Sequence, residues 1–103
     1  MRLTPAQIDT VKAAVARHFG PAARVALFGS RRDDDRRGGD FDFYVETDLT
    51  DADLLFDRKL KLLADLHASP AFADEKIDLL VRGHLPGPWP PIYEIARRDG
   101  FPL

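Results

Sequence analysis

The segment Asp40–Glu46, DFDFYVE, begins with a clean two-residue alternation of aspartate and phenylalanine. Successive side chains of a strand point to opposite faces. Phe41, Phe43 and Val45 therefore share one face, and Asp40, Asp42 and Tyr44 share the other. Aspartate is depleted in strands, so two of them inside a Phe-x-Phe frame require an explanation. One is a half-exposed strand with a wet face. The other is a bound cation: residues two apart on a strand have Cα atoms roughly 6.5–7 Å apart, and carboxylates that close repel unless a cation lies between them.

The remaining elements are read around this strand. Thr4 caps a helix to about Phe19, with Pro5 at its first position and Gln7 completing a capping box. Ile8, Val11, Val15 and Phe19 recur at helical spacing, and Gly20-Pro21 ends the run. Arg24–Phe28 (RVALF) reads as a short buried strand broken by Gly29-Ser30. Arg31–Gly39 (RRDDDRRGG) is too charged for a core and reads as a solvated loop. A second helix spans about Asp51 to Ala68, with Thr50 as cap and Leu55, Leu62, Leu63 and Leu66 as its buried stripe. Lys76–Arg82 (KIDLLVR) is a third strand, the segment LPGPWPP is irregular, and a last helix covers Ile92–Arg98 up to Gly100.

This order predicts one domain over residues 1–103 of the α/β (α+β) class: a small mixed three-stranded sheet flanked by helices. The composition, 45% hydrophobic and 31% charged with formal net charge −2, is that of an ordinary globular chain and gives no basic footprint for direct nucleic-acid binding. With no cysteine, disulfides and thiolate metal sites are excluded. No apolar run approaches the roughly 18 residues of a membrane span, and the first residues lack a secretory apolar core, so a cytoplasmic location is the expectation.

Three features carry chemistry. Gly29-Ser30 directly follows a strand, where glycine permits close backbone approach and the amides beyond it suit a phosphate; most such pairs are plain turns. Asp40-x-Asp42 offers hard oxygen ligands that suit Mg²⁺, which typically takes one or two carboxylates plus substrate phosphates. Asp78 is a charged residue in an apolar strand. If that strand pairs beside residues 40–46, all three carboxylates meet on one face; otherwise Asp78 belongs to a solvated edge near Lys76. His18, His67 and His84 have no metal-ligand spacing. Trp89 reads as an anchor for the proline-rich segment, and Arg97-Arg98 as charges suited to a helix C-terminus.

A strand, Gly29-Ser30, nine residues, Asp40-Phe41-Asp42-Phe43 and a later strand aspartate together resemble the DNA polymerase β-like nucleotidyltransferase superfamily. The stretches VALFGSR, GDFDFYVE, KIDLLV and IARRDGF look most like its minimal nucleotidyltransferases, the MNT-type antitoxins. The resemblance implies the nucleotidyltransferase fold and a catalytic, metal-binding trio of Asp40, Asp42 and Asp78 holding two Mg²⁺. It implies that Gly29 and Ser30 hold the triphosphate of ATP or another NTP, and Arg31 is the arginine favoured to join them. It further implies a HEPN-domain toxin as partner, silenced by transfer of AMP to a tyrosine. The alternative of another class is a non-catalytic antitoxin that masks its partner sterically. Transfer to RNA or to a small acceptor ranks lower, because the chain has neither a basic surface nor a second domain to enclose an acceptor.

Overall fold

The computed structural model describes residues 3–29 and 41–103. Elements run in the order α1 (Pro5–Phe19), β1 (Arg24–Phe28), β2 (Phe41–Glu46), α2 (Ala52–Ala68), a 3₁₀ turn (Pro70–Phe72), β3 (Ile77–Arg82), α3 (Pro91–Asp99) and β4 (Phe101–Pro102). The strands form one mixed sheet in the order β3-β2-β1-β4. β2 lies antiparallel to β1 and parallel to β3, and β4 is antiparallel to β1.

Helix α1 starts as its sequence dictates. The Thr4 hydroxyl accepts from the Gln7 amide at 3.1 Å, and the Gln7 side chain accepts from the Thr4 amide at 3.0 Å. The Gln7 carboxamide also donates to the Ala71 carbonyl at 3.0 Å, tying the helix start to the 3₁₀ turn. At its far end Gly20, with φ of 91°, ends the helix. Helix α2 begins one residue later than expected. Its cap is Asp51, not Thr50, and the Asp51 carboxylate accepts from the Leu54 amide at 3.0 Å. Both residue types cap well, so the sequence leaves this boundary open by one position.

Helices α1 and α2 pack together on one face of the sheet. That face carries Val25 and Leu27 of β1, Phe41, Phe43 and Val45 of β2, and Ile77, Leu79 and Val81 of β3, all buried. Phe72 fills the centre, edge-on to Phe41 at 5.4 Å and to Phe43 at 5.9 Å between ring centroids. Leu55, Leu62 and Leu66 are the buried residues of α2, while Leu63 packs at the rim. On the opposite face α3 lies over β1 and β2, with Ala96 fully buried. A side chain at Gly100 would meet the Ala26 methyl at 3.0 Å. The described residues thus form three layers: two helices, sheet, one helix.

Among the described residues the sheet has four strands, against the three expected. The fourth is two residues long, and the Leu103 amide donates to the Val25 carbonyl beside it at 2.9 Å. Phe101-Pro102 carries no alternating pattern, and proline has no N–H to give a ladder, which confines it to an edge. The pairing comes from the open side of β1. Among the described residues no helix is long and apolar enough to cross a membrane.

The helical layer is cross-linked by polar groups. Asp65 of α2 accepts from His18 at 2.8 Å and pairs with Arg17. The Arg58 guanidinium donates to the His18 carbonyl at 3.1 Å. The His18 hydrogen bond, with Arg17 beside it and partial burial opposing, holds the Asp65 carboxyl below its usual range.

Two predictions follow from this packing. Phe72→Ala removes the ring at the centre of the core and is expected to cost about 3–5 kcal/mol, read as a lowered midpoint in urea denaturation. Asp65→Asn is expected to destabilise the fold at neutral pH. A carboxyl with a depressed folded pKa contributes stability above its unfolded pKa and loses it as pH falls, so the gap between native and variant should close below about pH 4. Denaturation curves at pH 7 and pH 3 measure this.

Candidate active site

Because Phe41 and Phe43 face the helices, Asp42 between them faces the other side of the sheet. The register then places its neighbours. Asp42 lies opposite Phe28, the last residue of β1, and opposite Asp78 of β3. In-register residues of adjacent parallel strands share a face and sit about 4.8 Å apart, so the two carboxylates rise side by side. Asp42 is half-buried and Asp78 is exposed. The acid pair therefore stands at the rim of the sheet where β2 and β3 begin and β1 ends.

Gly29 follows β1 at that rim, with φ of 76°. This is left-handed backbone, which glycine adopts without strain. A second constraint acts at the same residue: a Cβ there would stand 2.3 Å from Oδ2 of Asp42 and 3.1 Å from its Cγ. The missing side chain is thus what lets the Asp42 carboxylate lie against the β1 turn. The sequence marked Gly29 as a place of close backbone approach. In the structure the first group to use that approach is the protein's own carboxylate.

Asp42, Asp78 and Gly29 are thereby brought together. Asp40, Ser30 and Arg31, the other residues assigned to the site from the sequence, lie outside the described residues, as does the loop Arg31–Gly39. Among the described residues no group of three or more His, Cys, Asp or Glu is gathered to hold a metal. The pair Asp42 and Asp78 fits Mg²⁺ through the chemistry of its donors, since that ion commonly takes two carboxylates and completes its shell with water and phosphate oxygens.

Tyr44, next on the same face, is buried and packs. Its hydroxyl donates to Oε1 of Glu46 at 2.7 Å. Burial, reinforced by the Glu46 carboxylate, pushes the phenol well above its ordinary range, so it remains a proton donor. His18 is spent on Asp65. Trp89 anchors its segment as expected, packing against the core with its indole N–H directed to the Leu85 carbonyl at 3.4 Å.

Arg97 departs from its sequence reading. Rather than only complementing the helix end, it pairs with Oε1 of Glu46 at 2.9 Å, fastening α3 to the sheet. Arg82 joins the same latch through Glu94 at 3.3 Å and lies over the Trp89 ring at 5.6 Å from its centroid. The available signal was Glu46 itself, a charged residue ending the same polar face as Asp42 and Tyr44.

No protein-family model matches this sequence, and no curated protein matches it significantly.

The contact between Gly29 and Asp42 yields a test. Gly29→Ala is expected to destabilise the fold by about 1 kcal/mol or more through backbone strain plus collision with the carboxylate. In an Asp42→Ala background only the strain remains, so the two substitutions should be non-additive by about 0.5 kcal/mol or more. Urea denaturation of the four proteins of the cycle measures the coupling; additivity would contradict the contact.

Proposed function

We propose that this protein is a Mg²⁺-dependent nucleotidyltransferase that passes AMP from ATP to a hydroxyl, with a tyrosine of a HEPN-type toxin as acceptor and antitoxin action as the consequence. The observation that carries this reading is the in-register pair Asp42 and Asp78 beside the glycine turn. The nucleotidyltransferase fold is part of the proposal. It is supported by the mixed sheet and by the position of the acid pair at the end of β1. The specific acceptor rests on the family resemblance of the sequence alone.

In this reading the hydroxyl oxygen bonds to the α-phosphorus, the bond from that phosphorus to the bridging oxygen breaks, and pyrophosphate leaves. Mg²⁺, when bound, supplies positive charge for the attacking and leaving oxygens. The chain's contribution is positioning. Asp42 and Asp78 hold the cation site on a rigid pair of strands, and Asp40 is assigned the third carboxylate from the sequence. The Gly29 turn lets a phosphate approach the backbone, with Ser30 and Arg31 assigned to the same triphosphate. Asp78, exposed at the rim, is assigned the hydroxyl proton.

The experiment is transfer of label from α-labelled ATP to a HEPN-domain protein in the presence of Mg²⁺. Asp42→Asn and Asp78→Asn are each expected to lower the rate at least about a hundredfold, the scale of losing one charged partner of a transition state, while amide spectra stay native. EDTA should abolish transfer, and γ-labelled ATP should leave no label on the acceptor. Undiminished labelling by Asp42→Asn would refute the assignment. Inhibition of the toxin that persists without any transfer would favour steric masking.

A further inference from the structure

The parallel strands β2 and β3 end at Glu46 and Arg82, four residues beyond Asp42 and Asp78 in each strand. Helix α3 crosses the same face between these two ends: Ala96 is buried against the sheet, Arg97 reaches Glu46 and Glu94 reaches Arg82. Beyond the helix, outside the carboxyl ends of the strands, lies a cavity of about 470 Å³. In open α/β sheets the crevice outside the carboxyl ends of parallel strands is a favoured ligand position, and pockets that hold small molecules run from about 300 to 1,000 Å³.

The lining has a definite chemistry. Arg82, Arg97 and the carboxylate of Glu46 line it together with His84 and Trp89, and Arg82 is also paired with Glu94, which stands outside the lining. The lining thus holds two guanidiniums to one carboxylate, each guanidinium with one carboxylate partner. Each guanidinium has five N–H donors in a planar fork, and one carboxylate contact does not exhaust them. The Trp89 ring already accepts one planar cation, Arg82, and packs edge-on with Tyr93 at 4.9 Å. A guanidinium pair beside an indole suits a ligand that joins an oxyanion to a planar ring.

We infer that this cleft is a second ligand site, separate from the Asp42–Asp78 pair, and that it binds a small organic phosphate or carboxylate carrying a planar ring. The oxyanion lies between Arg82 and Arg97, and the ring lies along Trp89. Because α3 supplies Arg97 and separates the two ends of the sheet, the site needs neither the acid pair nor Mg²⁺.

Trp89 is the single tryptophan of the chain, so its fluorescence reports on this cleft directly. The test is a titration of the metal-free protein with phenyl phosphate, followed by tryptophan emission and by amide shifts. A saturable change is expected, with shifts centred on Gly83 and His84. Arg97→Gln, which removes only a half-exposed ion pair that adds little to folding, should weaken binding about tenfold. Asp78→Asn should leave binding unchanged, which separates this site from the proposed transferase site. Inorganic phosphate, lacking the ring, should bind at least about tenfold more weakly than phenyl phosphate. No saturation below about 10 mM, equal binding by Arg97→Gln, equal binding of inorganic phosphate, or shifts centred on Gly29 would each overturn the inference.

Discussion

Burial of Phe41, Phe43 and Val45 is the constraint on which the rest depends. These side chains are covered by α1, α2 and Phe72, and a one-residue slip of β2 would turn all three to the opposite face. The cost of that slip fixes the register on both sides of the strand. Once β2 is fixed, Asp42, Tyr44 and Glu46 have no choice of face. The antiparallel partner brings the Gly29 turn to Asp42, and the parallel partner brings Asp78. The polar row is in this sense a product of the apolar one.

The residues of that row differ in what surrounds them. At one end Asp42 and Asp78 stand as like charges, with a backbone turn against the first. In the middle Tyr44 is buried, its hydroxyl committed to Glu46. At the other end Glu46 is neutralised by Arg97, and two arginines and an indole gather over the strand termini. One sheet face thus carries two like-charged carboxylates at one end and arginines paired with carboxylates at the other, with α3 lying over it. The ion pairs that hold α3 are half-exposed and individually weak. The buried Ala96 and the close passage of Gly100 over Ala26 do more to seat the helix.

Much of the fold was legible because it is encoded locally. The capping box at Thr4 and Gln7, the stop at Gly20 and the alternation of DFDFYVE and KIDLLV are statements about neighbouring residues, and the elements follow them. The mixed sheet could be anticipated from connection lengths. The cap at Asp51 rather than Thr50 was not legible, since either side chain satisfies the same amides. The fourth strand was not legible either: two residues, one of them proline, carry no pattern, and only the open side of β1 makes them a strand. At the site, the shared face of Asp42 and Asp78 depended on a pairing that the sequence permitted without specifying. The role of Arg97 depended on where α3 lands, which no local pattern encodes.

The central claim is that Asp42 and Asp78 form a cation site at the Gly29 turn. Mn²⁺ prefers the same oxygen ligands as Mg²⁺ and broadens the signals of nearby nuclei. Substoichiometric Mn²⁺ with ATP, read in amide spectra of the intact chain, is the most direct measurement. The account predicts early and selective loss of the signals of Gly29, Asp42 and Asp78, reversed by excess Mg²⁺. Broadening confined to the acidic first turn of α2, with the amides of residues 29, 42 and 78 untouched, would contradict it.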